Sequence, residues 1–220
     1  MKGKYMRILS VILGLVLGTA AVAAAEETPA APEIVLPAPV KTGGMALNDA
    51  LAARRTGRDY APGKTFTPQQ LSDLLWAANG VNRADGRTTA PTARNWQEIS
   101  LYVALPQGVY LYSPREHKLT PVLAQDIRAR TGMQPFVGKD TVEIIMVADY
   151  AKMAGCAPDM LEKYAWIDSG YISQNLYLHA AANGLATVVR GMVPRPEVAS
   201  LLKLNGKQAV TVVQTVGFAN

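Results

Sequence analysis

Apolar residues recur along this chain in two rhythms, one near 3.6 residues and one near 2. In TFTPQQLSDLLWAANG, residues Leu71, Leu74, Leu75 and Ala78 fall on one helical face, which predicts a helix with a core-facing side. Thr67 and Gln70 form a capping box there, Pro68 takes the first helical position and Gly80 follows the last turn. Leu47, Ala50 and Leu51 predict a shorter helix ending near Arg54. ISLYVAL and VYLYS, on either side of PQG, read as a hairpin. A helix is expected over about 118–130, then a strand at TVEIIMVADY. DSGYISQNLYLHAAANG predicts a second strong helix, capped at Asp168 or Ser169 and stopped by Gly184. LATVVRG is a strand, PRPEVASLLKL a helix and QAVTVVQTVGF a final strand. This order predicts one α+β layer domain over 45–220, with a mostly antiparallel or mixed central sheet flanked by helices.

Ahead of that domain the pattern changes. Lys2, Lys4 and Arg7 precede the uncharged run ILSVILGLVLGTAAVAAA, which ends at Ala23-Ala24-Ala25 before Glu26. This predicts a secretory signal peptide over 1–25 and an exported, periplasmic protein. The start lacks a twin arginine, which points to the Sec route, and no cysteine follows the run to carry a lipid. An uncleaved anchor is the other reading of the run, a weak one given its alanine-rich second half; cleavage leaves no stable membrane span. Residues 26–44, EETPAAPEIVLPAPVKTGG, predict a Pro/Ala-rich tether, with Ile34, Val35 and Leu36 able to dock on the body.

Charge then matters mainly by what it excludes. The chain has 220 residues and a net charge of +5, but the leader holds three of the 22 basic residues. The remaining 19 face 17 acidic ones, leaving +2, too little to predict nucleic-acid binding. Cys156 is the sole cysteine and His117 and His179 the only histidines, which argues against a disulfide framework or a metal site. His179, inside a helical pattern, reads as a packing residue and His117 as a surface turn residue. There is no Walker A, GxSxG or strand-linked GxGxxG pattern.

Two polar stretches remain. Arg54, Arg55, Thr56, Gly57 and Arg58 place three guanidiniums and a hydroxyl within one turn. Such forks match phosphate oxygens, although basic residues at a helix C-terminus also suit the helix dipole. APTARNWQ adds a stiffening Pro91, the Thr92 hydroxyl and the amides of Asn95 and Gln97. Amides can read the alternating N–H and C=O rim of a planar heterocycle such as a flavin, or simply decorate a surface loop.

In order and spacing, RRTGR followed by PTARNWQ resembles the FMN-binding signature of the nitroreductase family, and within it most closely the SagB/ThcOx-type dehydrogenase branch in an exported form. LSDLLWAANGVNR, DSGYISQNLYLHAAANGLATVVRGM and the closing QTVGF extend the resemblance over residues 44 to 219. It implies a nitroreductase-like fold and an intertwined homodimer with FMN at the subunit interface. Arg54, Arg55, Thr56 and Arg58 would hold the ribityl phosphate. Pro91, Thr92, Ala93, Asn95 and Gln97 would lie against the isoalloxazine from the partner subunit, with Gly191, and more weakly Arg190, near the reactive face. The implied activity is two-electron transfer through flavin N5, between a small-molecule donor and a nitro, quinone or other conjugated acceptor. The branch also implies azoline dehydrogenation of modified peptides, and export allows a non-catalytic flavin-binding module. Unlike many members, this chain ends VGFAN, without basic residues.

Overall fold

The computed structural model describes residues 32–220; the signal peptide expected over 1–25 and the first part of the tether lie outside the described residues. Seven strands form one sheet: β1 (Ile34–Val35), β2 (Ile99–Leu105), β3 (Gly108–Ser113), β4 (Lys118–Leu123), β5 (Thr141–Asp149), β6 (Leu185–Arg190) and β7 (Gln208–Phe218). Their order is β1-β4-β3-β2-β5-β7-β6, and every neighbouring pair is antiparallel. Helices α1 (Leu47–Ala53), α2 (Pro68–Asn79), α3 (Leu161–Ala182) and α4 (Arg195–Leu201) complete the layers.

The sheet is apolar on both faces because helices cover both. Along β5, Val142, Ile144, Met146 and Ala148 pack with Leu71, Leu74, Leu75 and Ala78 of α2 and with Ala165, Ile172 and Leu176 of α3. The intervening Ile145 and Val147 turn to the opposite side, against Val198 of α4 together with Ile127, Val193 and Leu202. A strand buried on both faces reads as an unbroken apolar run, as TVEIIMVAD does. The capping box of α2 forms as expected, with Gln70 N–H donating to Thr67 Oγ1 at 3.2 Å and Thr67 N–H to Gln70 Oε1 at 3.0 Å.

Three local expectations need correction. Residues 118–130 are not a helix: KLTPVL is β4, with Leu119 buried, and only Arg128–Arg130 forms a 3-10 turn. Pro121 removes a helical N–H and crowds the preceding turn, and the sheet accepts it beside a shift in register. Asp168 and Ser169 do not cap α3, which begins at Leu161; both are buried inside the helix and bond sideways, Ser169 Oγ to Thr211 Oγ1 at 2.7 Å. Local propensity cannot distinguish a polar side chain that caps from one that reaches across to another element. The short helix expected from Leu47, Ala50 and Leu51 does form, as α1, with Ala50 buried and Leu47 and Leu51 exposed. His117 does occupy a turn, at φ 49°, but its ring is not a surface group: Nε2 lies 2.7 Å from Ser72 Oγ and Nδ1 2.9 Å from Tyr112 Oη. Burial lowers its pKa below the usual histidine value.

The described end of the tether is part of this packing. Leu36 is buried, Ser72 Oγ donates to the Pro37 carbonyl at 2.6 Å and Val40 N–H to Asp73 Oδ1 at 2.8 Å.

On the β5–β7–β6 side a buried ion pair ties three strands. Arg190 Nη2 lies 2.6 Å from Glu143 Oε2, with both side chains almost wholly enclosed. Arg190 also donates to Thr215 Oγ1 at 3.0 Å and to the Thr131 carbonyl at 2.8 Å, and Thr215 Oγ1 donates to Glu143 at 2.7 Å. Removing one partner strands a buried charge, whereas replacing both with apolar residues need not destabilise. Arg190→Met alone is therefore expected to lose about 3–5 kcal/mol in urea denaturation, and the double change with Glu143→Leu to recover most of it.

Candidate active site

The first polar stretch leaves α1 rather than completing it. α1 has no basic residue in its last turn, and Arg54 stands at its C-cap with extended backbone, so the helix dipole alone does not account for the run. The loop is fastened at its glycine: Gly57 N–H donates to the Thr187 carbonyl at 3.0 Å and Tyr60 Oη to the Gly57 carbonyl at 3.3 Å. A Cβ on Gly57 would stand 2.9 Å from Ala186 Cβ, so only glycine lets the loop lie this close to β6. Thr56 Oγ1 is 3.3 Å from Tyr177 Oη, and Tyr177 in turn accepts the Val189 N–H at 3.0 Å. The Arg54 guanidinium sits over the Tyr177 ring, 5.5 Å from its centroid. Arg55, Thr56 and Arg58 are exposed. None of the three arginines forms an ion pair among the described residues. Three uncompensated guanidiniums beside a hydroxyl suit a dianion such as a phosphate monoester.

The second stretch is a tight, strained loop. Arg94, Asn95 and Gln97 hold φ of 51°, 56° and 49°, at a cost of roughly 1–2 kcal/mol for each residue other than glycine, with Asn the most tolerant. Internal bonds sustain it: Gln97 N–H donates to Thr92 Oγ1 at 3.1 Å, and Gln97 Nε2 donates to Asn95 Oδ1 at 3.0 Å and to the Gly86 carbonyl at 3.2 Å. External bonds anchor it, with Ala93 N–H to Asp168 Oδ2 at 3.0 Å and Trp96 Nε1–H to the Ala154 carbonyl at 3.2 Å. The Trp96 ring meets Tyr164 edge-on at 5.6 Å. Beside the loop lies an open cleft of about 470 Å³, lined by Arg83, Arg87, Thr88, Ala90, Pro91, Thr92, Arg94 and Asn95. Gln97 is thus a brace of the loop, while Pro91 and Asn95 are exposed and Thr92 and Ala93 half-buried.

The remaining sequence-predicted residues part company. Gly191 follows β6 on the surface, with open space around its Cα. Arg190 points inward, its guanidinium spent on Glu143, Thr131 and Thr215, so it braces the sheet beneath the surface.

The two loops do not meet in one chain. The first rests on Tyr177 and the second on Asp168, nine positions apart on α3. At about 100° per residue these positions lie roughly 180° apart around the helix axis and about 14 Å apart along it. Each chain thus presents the two loops on opposite sides of α3.

Sequence reasoning missed the residues that position these loops, Tyr177, Asp168 and Trp96, and the buried carboxyl of Glu98 that follows the second loop. Glu98 had a legible signal, a carboxyl at the edge of an apolar strand; Asp168, in a helix that also carries Glu162, Lys163, Gln174 and Asn175, had none. Glu98 is fully buried and neither of its oxygens has a hydrogen-bond partner among the described residues. Burial, foremost, and the neighbouring Asp168 carboxyl lift it to about 7, against its own backbone N–H and Lys152.

The glycine contact makes a testable demand. Gly57→Val is expected to destabilise the fold by about 1–3 kcal/mol through overpacking against Ala186, read as a lower denaturant midpoint, whereas Gly206→Ala, with nothing within 4 Å and no left-handed φ, meets no such clash.

The geometry has counterparts among known proteins. A crystal structure of a nitroreductase (reut_a1228) from Ralstonia eutropha JMP134 superposes with a TM-score of 0.81 and 36% identity, covering 88% of this chain and 92% of that one. The nitroreductase-like protein MJ1384 of Methanocaldococcus jannaschii is 29% identical over 168 residues, 72% of this chain and 84% of its own length. The NADPH:FMN oxidoreductase of Vibrio harveyi, solved with NAD+, shares the fold at a TM-score of 0.56 and 19% identity, over 79% of this chain and 68% of that one. The sequence model of the nitroreductase family matches residues 51–218, from the last turns of α1 to the end of β7, and the chain belongs to that family.

Proposed function

We propose that the protein is an FMN-dependent oxidoreductase whose site forms between two copies of the chain. The observation that supports this reading is the placement of the arginine loop and the 91–97 loop on opposite sides of α3. One copy offers cations for a phosphate, and the other offers a rigid amide-bearing loop for a heterocycle. Exposed apolar residues support the pairing: Leu47 and Leu51 on α1, and Trp166, Ile167 and Tyr171 on α3, lie uncovered in the single chain. A second copy would cover them, as C2 pairing commonly does.

The residues present fit FMN. Arg54, Arg55 and Arg58 would neutralise the phosphate dianion and Thr56 would hydrogen-bond it, with Gly57 holding the loop against β6. Thr92, Ala93 and Asn95 of the partner would orient the ring, with the Ala93 N–H held by Asp168 and the Asn95 side-chain oxygen by Gln97. Gly191, without a side chain, would leave the reactive face open to donor and acceptor. When bound, FMN supplies two-electron transfer chemistry. The protein's share is position and charge, so no acid–base pair is required at the surface of the loop.

Small-molecule electron donors fit this reading, with nitro, quinone or other conjugated compounds as acceptors. Placement in the SagB/ThcOx-type branch and export through the leader over 1–25 rest on the sequence stretches quoted above. Export would deny the enzyme cytoplasmic NAD(P)H, which makes quinols and redox proteins the donors to screen first.

Purified protein reconstituted with FMN is expected to be yellow and to have its bound flavin reduced by a donor of one of these classes. Protein that stays colourless after reconstitution would reject the reading. Arg54→Ala with Arg58→Ala is expected to weaken FMN binding by at least 100-fold, since charge-assisted bonds contribute about 1.5–3 kcal/mol each, with the urea midpoint unchanged. Equilibrium quenching of FMN fluorescence measures the loss.

A further inference from the structure

Behind the 91–97 loop sit two carboxyl groups: Asp168, which fixes the loop in the reading above, and Glu98, which that reading leaves without a role. Glu98, the residue that follows the loop, is fully buried, and Asp168 on α3 is nearly so. Asp168 accepts the Ala93 N–H at 3.0 Å, while neither oxygen of Glu98 has a partner among the described residues. A buried carboxylate without donors is costly, whereas a carboxylic acid needs only one acceptor for its O–H. We propose that Glu98 and Asp168 share one proton and that this proton holds the loop in its strained, left-handed conformation.

The surroundings leave few other ways to balance the charge. From α3 the only carboxyl acting on Glu98 is that of Asp168. From the 3-10 turn at 150–152 comes Lys152, whose ammonium donates to the Gln97 carbonyl at 3.3 Å and so lies at the mouth of the pocket. From β5, Asp149 gives its backbone N–H to the Glu98 carbonyl at 3.0 Å and turns its carboxyl to the Ala151 N–H at 3.1 Å. With the proton in place, Glu98 donates to Asp168, which still accepts the Ala93 N–H. Release of the proton to solvent leaves two buried carboxylates side by side. Their repulsion draws in water and pulls Asp168 from Ala93, so the three left-handed residues lose their anchor.

The sign follows from where Glu98 titrates. Its folded value, about 7, lies above its ordinary 4.5, so the folded chain binds the extra proton. The stabilisation is complete below about 4.5 and is lost as pH rises through about 7.

The test uses the cofactor-free protein and Glu98→Gln, which keeps shape and donor but cannot ionise. Between about pH 5.5 and pH 8 the wild type is expected to lose roughly 5 °C in Tm beyond any loss in the variant. Hydrogen exchange across residues 91–97, corrected for intrinsic rates, should accelerate at least tenfold in the wild type only. A parallel fall in the variant, or the absence at the lower pH of an infrared carboxylic-acid band that the variant removes, would overturn the proposal. Asp168→Asn gives a second route: it should lower the midpoint of the Glu98 band, and an unchanged midpoint would contradict proton sharing. The consequence for the cofactor rests on the flavin reading above. FMN affinity should fall through the same pH range in the wild type and not in Glu98→Gln, and a wild-type affinity flat in pH while the loop loosens would refute that coupling. If neither form binds FMN while the loop behaves as described, the proton-sharing pair stands and the flavin reading falls.

Discussion

α3 is packed against α2 and the sheet, and it carries a polar loop on each of two opposite sides. A helix so enclosed cannot turn, and side chains nine positions apart on it cannot converge. Tyr177 therefore fixes the arginine loop in one place and Asp168 fixes the 91–97 loop in another. The separation is a consequence of packing rather than of the loops themselves. Buried interiors have little slack; α3 lies against α2, β6 and β7, with Ile172 and Leu176 in the shared core. A site that uses both loops has to be assembled from two chains.

Each of the two loops is held by groups that a ligand bound to it would not touch. Gly57 lets the arginine loop lie on β6, and β6 is held to β7 and β5 by Arg190, Glu143 and Thr215. The 91–97 loop is sustained by Asp168, Ala154 and its own side chains against three unfavourable φ angles. Strain of this kind persists only where the surroundings over-determine it, and it clusters at functional sites. Orientation of a bound heterocycle is the benefit such rigidity would bring, since the chemistry belongs to the cofactor.

Much of this was legible in the chain. The capping box of α2, the hairpin of β2 and β3, the apolar run of β5 and the closing strand each follow from local pattern, and the structure contains all of them. What failed to read did so for a common reason: a side chain serving a distant element looks, locally, like something else. Asp168 and Ser169 resemble caps but bond across to Ala93 and Thr211. KLTPVL could pass for the start of a helix until β3 and β1 pair with it. His117 sits in a turn yet joins Ser72 to Tyr112. At the site, RRTGR and PTARNWQ were visible as candidate binding chemistry, but their opposition around α3 was not, because it depends on which residues of the helix each loop rests upon. Arg190, beside Gly191 in sequence, shared its neighbour's expected role until its guanidinium was seen to be buried.

The central claim is that one site draws on two chains, and subunit mixing tests it most directly. One variant would carry Arg54→Ala and Arg58→Ala, the other Thr92→Ala and Asn95→Ala, and neither alone should retain FMN. Refolded together, half of the dimers pair one variant with the other, and each such dimer holds one intact site, so about a quarter of all sites should bind FMN. No recovery on mixing, with mixed dimers shown to form by mass, would contradict an interfacial site.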